Sequence, residues 1–246
     1  MIDKIYNEDC LEGMKRIPDG SVDMILTDPP FGITDAPFDN RIPFEPMWEQ
    51  FKRVTKHNAA IVLFSQMPFG SDLIQSNRKM FRYEWIIHKQ SAGGGFLNAK
   101  KMPLRVHENI LVFYRALPTY NPQFTEGKPY FRPKTHFPSE NYSSQKNSKD
   151  RNSDGRRFPR DVLKFTFENH RAHPTQKPVD LLEYLIKTYT NEGELVLDAT
   201  IGSGSTAVAA INTNRHFVGF ETEKRFCDIA NERIEKAFAE REQALF

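Results

Sequence analysis

The sequence predicts an α/β domain built on a doubly wound, mostly parallel sheet, and three observations support that prediction. Short apolar runs recur along the chain and are continuous rather than alternating, as expected of strands buried on both faces. Helical patterns with one apolar face lie between several of these runs. A glycine-rich turn follows one late run and opens a helix, an arrangement typical of nucleotide-binding α/β sheets.

Seven apolar runs, each bounded by turn residues, are predicted to be strands. They are residues 4–9, 23–28, 59–65, 83–89, 109–115, 194–199 and 216–221. Residues 178–190 are predicted to form a helix, since Val179, Leu182 and Ile186 recur at helical spacing. A second amphipathic helix is predicted from Glu223 to about residue 238. Both apolar stripes are typical of packing against a sheet rather than of ligand contacts.

Length and composition exclude several protein classes. The 246 residues fit one large α/β domain, with or without an insertion. No run approaches the roughly 18 apolar residues of a membrane span, and the charged start of the chain lacks the apolar segment of a secretion signal. Cys10 and Cys227 give neither a disulfide framework nor a zinc pattern, so a reducing cytoplasm is expected. The histidines show no metal-ligand spacing, so no metal is expected.

Charge is unevenly distributed along the chain, although the net value is only +2. Residues 89–177 hold 17 Lys and Arg against 7 Asp and Glu, and the remainder holds 17 against 25. A basic middle inside an acidic frame indicates a polyanionic partner such as nucleic acid, although a solvated polar insertion would also explain it. Within it, residues 139–157 are almost free of aliphatic side chains and are expected to form a long polar loop. The basic residues expected to contact nucleic acid are Lys89, Lys100, Lys101, Arg105, Arg156, Arg157 and Arg160.

The stretch I-L-T-D-P-P-F-G, residues 25–32, ends an apolar run on an acid and stiffens the next two positions. Pro29 and Pro30 fix their own φ angles and disfavour helix before them, so a rigid projecting turn is expected. Asp28 would lie at the base of this turn and Phe31 at its tip. The motif is either a functional site or a strand end capped by turn residues.

The stretch L-D-A-T-I-G-S-G-S-T-A-V-A-A, residues 197–210, follows a predicted strand and opens a helix. Gly202 and Gly204, with an alanine three positions later, fit G-x-G-x-x-A, in which the backbone approaches a ligand at a helix N-terminus. Asp198 ends the strand before the turn, and Glu221 ends the next strand, where a carboxylate commonly binds ribose hydroxyls. The pattern favours a nucleoside cofactor over a turn that only packs.

The order of these pieces disfavours an ordinary nicotinamide domain. After the glycine turn the chain offers one more strand and one more helix, so the remaining strands must come from the N-terminal half. A third polar segment, H-P-T-Q-K-P at 173–178, precedes the predicted helix. In it Lys177 is suited to a ligand carboxylate and Thr175 to a polar edge.

The motifs D-P-P-F, H-P-T-Q-K-P and D-x-x-x-G-x-G, in that order, resemble the amino-group DNA methyltransferases of the β-class permutation, which use S-adenosylmethionine to methylate adenine N6 or cytosine N4. The resemblance covers roughly residues 4–114 and 170–238. It implies a circularly permuted, seven-stranded Rossmann-like sheet with an inserted target-recognition region. Residues 1–89 would form the catalytic half, residues 90–169 the insertion with a core strand near 109–115, and residues 170–246 the S-adenosylmethionine-binding half.

The resemblance also implies roles for individual residues. The catalytic motif would be Asp28, Pro29, Pro30 and Phe31. The residues implied to bind S-adenosylmethionine are Asp9, Cys10, Asp28, Thr175, Lys177, Asp198, Thr200, Gly202, Ser203, Gly204, Ser205, Thr206 and Glu221. One departure is visible, because Ala199 and Thr200 replace the proline and aromatic residue that the family often has before its glycine turn.

The leading hypothesis is a site-specific enzyme that methylates the N6 amino group of a flipped adenine in double-stranded DNA. N4-cytosine methylation is the near alternative, and a catalytically inactive DNA-binding relative is a more distant one. A nicotinamide-dependent oxidoreductase is supported only by the glycine turn. Methylation at cytosine C5 is disfavoured, since neither Cys10 nor Cys227 lies in a Pro-Cys loop that would suit a nucleophile. Members of the class are often dimers, so a homodimer is also an open expectation.

Overall fold

The computed structural model describes residues 2–34, 39–89, 95–133, 151–166 and 176–243. The chain divides into two compact units: residues 1–121 with 161–246, and residues 122–160. The twelve strands of the described residues are β1 Lys4–Tyr6, β2 Val22–Thr27, β3 Thr55–Ser65, β4 Phe81–Lys89, β5 His107–Phe113, β6 Thr125–Glu126, β7 Tyr130–Arg132, β8 Arg151–Ser153, β9 Arg156–Arg157, β10 Val162–Phe165, β11 Leu195–Asp198 and β12 His216–Phe220. The α-helices are α1 Cys10–Met14, α2 Phe44–Val54, α3 Phe69–Ser76, α4 Val179–Tyr189, α5 Ser205–Asn212 and α6 Lys224–Gln243.

The first unit is built on one sheet with the strand order β1-β12-β11-β2-β3-β5-β4-β10. Every neighbouring pair is parallel except those of β5, which runs antiparallel to both β3 and β4. The sheet has eight strands rather than the seven expected, because β10 pairs with β4 at the edge. Its four residues are alternately exposed and half-buried, so the apolar signal in the sequence is short.

Hydrophobic clusters on the two faces of this sheet confirm the doubly wound prediction. Met24 and Leu26 of β2 belong to the cluster that includes side chains of α4, α5 and α6. Ile25, between them, belongs to the cluster that includes side chains of α1, α2 and α3. Because successive side chains of a strand point to opposite faces, the continuous apolar run of β2 fills both clusters.

The neighbouring strands β2 and β11 form the point at which the strand order reverses. They are parallel, with Val196 opposite Met24 and Leu197 opposite Ile25. The chain leaves β2 toward α2 on one face of the sheet and leaves β11 toward α5 on the other. A crevice therefore opens beyond the carboxyl ends of these two strands, which is where open α/β sheets bind their ligands.

The second unit, residues 122–160, contains two short antiparallel ladders, β6 with β9 and β7 with β8. Arg156 lies over the ring of Phe124 at 5.2 Å, and Arg157 lies over the ring of Tyr130 at 4.9 Å. Arg157 also donates to Ser153 Oγ at 2.7 Å, so its guanidinium helps to hold the two ladders together. Most of the polar loop expected at 139–157 lies outside the described residues. In the part of the chain that is described, no helix is both long and apolar enough to cross a membrane.

Candidate active site

A cleft of about 570 Å³ lies beyond the carboxyl ends of β2 and β11. The proline-rich turn and the glycine turn both line it, although 173 positions separate Asp28 from Ile201 in the chain. The two halves of the chain meet here because β2 and β11 are parallel neighbours whose ends share one edge of the sheet.

The D-P-P-F motif directly follows β2 and is only partly exposed. Pro29 is buried, and 22% of the Asp28 side chain is exposed. The Phe31 ring stacks on Phe69 of α3, with ring centroids 4.9 Å apart and 28° between the planes. One side of Phe31 is therefore occupied by packing, while the residue still lines the cleft.

Asp39 and Arg41 fix the loop that follows this motif, and sequence reasoning missed both residues. The Asp39 carboxylate accepts hydrogen bonds from the backbone N–H groups of Gly32, Ile33 and Thr34 at 2.8–2.9 Å. Burial would raise the pKa of Asp39, but these bonds and that of the Thr34 hydroxyl lower it overall. Arg41 Nε donates to the Phe31 carbonyl at 2.6 Å. The turn is therefore held in one conformation from its C-terminal side.

Asp198 organises the glycine turn from its base. Its Oδ1 accepts from the Thr200 N–H at 3.1 Å, and its Oδ2 accepts from Thr206 Oγ1 at 2.6 Å. Burial raises the pKa of Asp198 to about 6, against the effect of these hydrogen bonds. Gly204 has φ +80°, and a Cβ there would lie 2.9 Å from Ala230 Cβ of α6, so this position requires glycine.

Glu221, which follows β12, bonds to the same turn. Its Oε2 accepts from the Gly202 N–H at 3.0 Å, and its Oε1 accepts from the Glu223 N–H at 2.8 Å. Burial raises the pKa of Glu221, and these backbone bonds oppose the rise. The carboxylate lies at the cleft wall.

Ser203 and Ser205 line the cleft but are also held by protein partners. Arg233 of α6 donates to both hydroxyls at 3.1 Å and to the Ser203 carbonyl. Ser203 Oγ donates to Gln176 Oε1 at 3.2 Å, which connects the turn to the segment before α4. Arg233 is a further residue that the motifs did not predict, since α6 gives only an amphipathic signal.

Asp9 and Cys10 lie at the start of α1 and line the cleft. Asp9 Oδ1 caps the helix by accepting from the N–H groups of Leu11 at 2.8 Å and Glu12 at 3.3 Å. Burial, and then the nearby Asp9 carboxylate, raise the pKa of Cys10 to about 12. The thiol is therefore protonated at neutral pH and is a poor nucleophile.

Lys177 does not bond to the glycine turn but lies between two carboxylates. Its Nζ is 2.9 Å from Asp28 Oδ2 and 3.1 Å from Glu108 Oε2. Lys89 Nζ contacts the other oxygen of Glu108. Glu108 was missed because an acid at the start of an apolar run reads as a strand boundary. It reaches the cleft because β5 is antiparallel, so its first residues lie beside the last residues of β4.

The remaining basic residues lie in different places. Lys89 lines the cleft, whereas Lys100, Lys101 and Arg105 are exposed in the loop before β5. Arg156, Arg157 and Arg160 belong to the second unit. Thr175 lies outside the described residues. Across the described ranges, no cluster of three or more His, Cys, Asp or Glu side chains suits a metal ion.

Comparison with known proteins gives one family and several relatives. A family model described as DNA methylase, of the N6 and N4 methyltransferases, matches residues 22–232. The type II methyltransferase M.HpaI of Haemophilus parainfluenzae is 28% identical, over 97% of this chain and 76% of that protein. M.BglII, a type II methyltransferase of Bacillus subtilis, is 32% identical over 93% of this chain and 68% of its own length. The DNA adenine methyltransferase YhdJ of Escherichia coli (strain K12) is 29% identical, with coverages of 95% and 83%.

Solved structures share the same fold. The complex of M1.HpyAVI with SAM has a TM-score of 0.65 at 23% identity, covering 94% of this chain and 98% of that one. The PvuII DNA methyltransferase, described as cytosine-N4-specific, has a TM-score of 0.67 at 15% identity, with coverages of 96% and 90%. At these identities the likeness concerns the arrangement of the sheet and helices.

Proposed function

Because the chain belongs to the N6/N4 family of site-specific DNA methyltransferases, we propose that it transfers the methyl group of S-adenosylmethionine to the N6 amino group of adenine in double-stranded DNA. The observation that carries the proposal is the shared cleft, in which the Asp28 carboxylate and the Gly202 turn line one cavity. The cleft thereby combines an acceptor for an amino group with a site for a nucleoside cofactor.

The residues of the cleft fit S-adenosylmethionine. A volume of about 570 Å³ is within the usual range of small-molecule sites. We assign the ribose hydroxyls to Glu221, and the amino-acid part to the N-terminus of α5, where Gly204 is the N-cap and no side chain of the described residues caps the helix. The adenine side is assigned to Asp9 and Cys10, which line the cleft. When bound, this cofactor supplies a methyl group activated by a positively charged sulfur.

Asp28 and Pro29 would act on the base. The exocyclic amino nitrogen of adenine is conjugated with the ring and is a weak nucleophile. If the Asp28 carboxylate accepts one N–H and the Pro29 carbonyl accepts the other, the nitrogen lone pair is turned out of the ring plane. The fixed proline turn keeps both acceptors in place before DNA binds, which is the preorganisation that lowers a reaction barrier.

Phe31 is proposed to receive the flipped base. A base inside a duplex cannot reach the cleft, so the target nucleotide must leave the stack. Stacking on an aromatic side chain contributes about 1–3 kcal/mol per base and offsets part of that cost. Packing against Phe69 holds the Phe31 ring at a fixed angle for this contact.

Two observations favour adenine over cytosine as the target. The motif begins with Asp28, whereas N4-cytosine enzymes of this class more often have serine there. The relative YhdJ is described as a DNA adenine methyltransferase and aligns with 95% of this chain. The cytosine-N4-specific PvuII enzyme shares the fold, at 15% identity.

The test is to methylate DNA with the purified protein and S-adenosylmethionine, digest it to nucleosides and separate them by mass spectrometry. N6-methyladenine is the expected product. N4-methylcytosine without N6-methyladenine would overturn the choice of base. No methylated nucleoside, together with retained DNA binding, would instead identify an inactive relative. Sequencing of the methylated DNA reads the recognition sequence from the same sample.

We further propose that residues 90–169 carry the target-recognition region, between a catalytic half at 1–89 and a cofactor half at 170–246. The basic excess of this part of the chain and the exposed Arg156 and Arg160 support a DNA contact. A homodimer stays a prediction, which sedimentation of the purified protein tests.

A further inference from the structure

Four charged side chains form what we name the buried ion-pair chain: Lys89, Glu108, Lys177 and Asp28. Lys177 Nζ lies 2.9 Å from Asp28 Oδ2 and 3.1 Å from Glu108 Oε2, and Lys89 Nζ contacts Glu108 Oε1. Positive and negative charges alternate along the buried ion-pair chain, so the net charge of its four side chains is zero. All four residues line the cleft.

Because the side chains of Lys177 and Glu108 are mostly buried, each depends on its ion-pair partners to stay charged. Only 9% of the Lys177 side chain and 12% of the Glu108 side chain are exposed. Burial would lower the pKa of Lys177, but Asp28 and Glu108 raise it above its ordinary value. Burial would raise the pKa of Glu108, but Lys177 and Lys89 lower it to about 2. Both groups are therefore charged at neutral pH, and removing one partner leaves the other as an uncompensated buried charge.

Asp28 is the group whose pKa shift favours the neutral form, whereas the shifts of Glu108 and Lys177 favour their charged forms. Burial raises its pKa, Lys177 opposes that rise, Glu108 adds to it, and Lys89 opposes it. The carboxyl of Asp198, at the end of the neighbouring strand, also senses the charge of Asp28. Of these groups, Lys177 alone is within hydrogen-bond distance of the Asp28 carboxylate.

We propose that Lys177, itself held by Glu108, is a positioning residue that keeps the Asp28 carboxylate ionised and oriented in the cleft. The inference rests on the proposed role of Asp28 as the acceptor for the target amino group. Lys177 contacts Oδ2, while Oδ1 has no hydrogen-bond partner among the described residues. Since Oδ1 is itself buried, the ion pair at Oδ2 offsets the burial of this carboxylate and fixes its orientation.

The ionised state matters for the reaction. A carboxylate is only an acceptor, whereas a protonated carboxyl carries one O–H donor and has less acceptor capacity for an amino N–H. Positive charge also develops on the amino nitrogen as it gains the methyl group, and a fixed anion stabilises that charge. Glu108 contributes through its ion pair with Lys177, which holds the ammonium between two carboxylates.

The competing role for Lys177 is the one expected from sequence, a contact with the cofactor carboxylate. The two roles predict different losses. A cofactor contact predicts that removing the ammonium weakens cofactor binding. A positioning role predicts that cofactor binding is retained while the pH dependence of transfer changes.

The experiment measures single-turnover methyl transfer against pH for the wild type, Lys177→Met, Glu108→Gln and the double variant, with cofactor affinity determined by calorimetry. Lys177→Met is expected to move the acidic limb of the rate profile upward by about 1 pH unit or more, which lowers the rate about tenfold at pH values below the new limb. Glu108→Gln removes a nearby anion and is expected to move the limb downward. The double variant is expected to be faster than Lys177→Met at pH 7, because the repulsion of Asp28 by Glu108 is gone.

Shifts in opposite directions, with cofactor affinity unchanged within about threefold, support the proposal. Three outcomes would overturn it. The acidic limbs of the rate profiles could stay unmoved, the rate losses of the two single variants could add in the double variant, or Lys177→Met could lose much of its cofactor affinity. If Lys177→Met does not fold, Glu108→Gln alone decides, since an unmoved or raised limb contradicts the prediction. Lys187→Met, on the exposed side of α4, is the matched control and should match the wild type. Retained transfer in Asp28→Ala would refute the proposed role of Asp28, whereas loss in Asp28→Ala with unmoved limbs refutes only the role of Lys177.

Discussion

Thr200 Oγ1 donates a hydrogen bond of 2.9 Å to the backbone carbonyl of Asp28, across 172 positions of the chain. The same hydroxyl lies 2.9 Å from Thr27 Oγ1, which can donate to it in turn. Thr200 stands where related enzymes often have an aromatic residue. It thus connects the glycine turn directly to the proline turn, and the two motifs of the cleft are held at a fixed separation.

Thr200→Val is expected to slow methyl transfer about tenfold and to destabilise the protein by about 1–3 kcal/mol, because the Asp28 carbonyl loses its partner. Single-turnover kinetics and urea unfolding measure the two effects. Thr213→Val is the control, since among the described residues that hydroxyl bonds to the α5 carbonyls of Ala209 and Ala210. Equal transfer rates in the two variants would contradict a role for Thr200 in positioning Asp28.

Asp28→Ala is expected to lower the transfer rate by about 10²-fold or more, because the acceptor that orients the amino group is removed. Binding of S-adenosylmethionine, measured by calorimetry, should change only a few-fold. Asp228→Ala, which removes an exposed acid paired with Lys224, serves as the control. Normal turnover per bound cofactor in Asp28→Ala would show that the carboxylate has no part in the reaction.

Asp198 makes the folded protein less stable as the pH rises. Its pKa is about 6 in the folded state against 3.8 for an ordinary carboxyl. The folded state therefore binds more protons between these values, and stability falls with rising pH through that window. Full ionisation of Asp198 lowers the free energy of unfolding by about 3 kcal/mol at the most, since one pKa unit corresponds to about 1.4 kcal/mol.

The measurement for Asp198 is urea unfolding from pH 4 to pH 7, with Asp198→Asn as the reference. The free energy of unfolding of the wild type relative to the variant should decline across this range, with most of the decline complete by pH 7. A constant difference between the two proteins would mean that Asp198 does not retain its proton on folding.

Asp39→Ala is expected to slow transfer about tenfold or more, because the loop after Phe31 loses the acceptor of three backbone N–H groups. A displacement of the turn by about 1 Å is enough for such a loss. Asp19→Ala, which breaks an exposed pair with Arg53, is the comparison. If Asp39→Ala retains the wild-type rate, the loop is not required to hold the turn.

DNA affinity should fall steeply with added salt if basic residues neutralise phosphates. Replacing Lys100, Lys101 and Arg105 with alanine is expected to weaken binding and to lower the slope of log affinity against log salt by about 3, at roughly 0.9 per contact. The control removes Lys224, Lys236 and Arg241 of α6, which changes the net charge equally. Equal slopes in the two triple variants would exclude the loop before β5 as a DNA contact.

The sequence by itself determined the class of sheet, the order of the motifs and the family. Those features are local: the continuous apolar run of β2, the prolines after Asp28 and the glycines after Asp198 each carry their signal within a few residues. Their meeting in one cleft followed from a general rule, since the carboxyl ends of parallel strands share an edge of the sheet.

Tertiary structure decided which charges meet. Glu108 enters the cleft because β5 runs antiparallel between β3 and β4. The local sequence around Glu108 does not show the direction of the strand. Lys177 lies on Asp28 because α4 begins beside the end of β2, and Arg233 supports the glycine turn from a helix that the pattern shows only as amphipathic. Ion pairs, and the hydrogen bonds that hold loops in place, form between side chains that strand register and helix placement bring together. Because those distances depend on the tertiary structure, the sequence alone does not predict them.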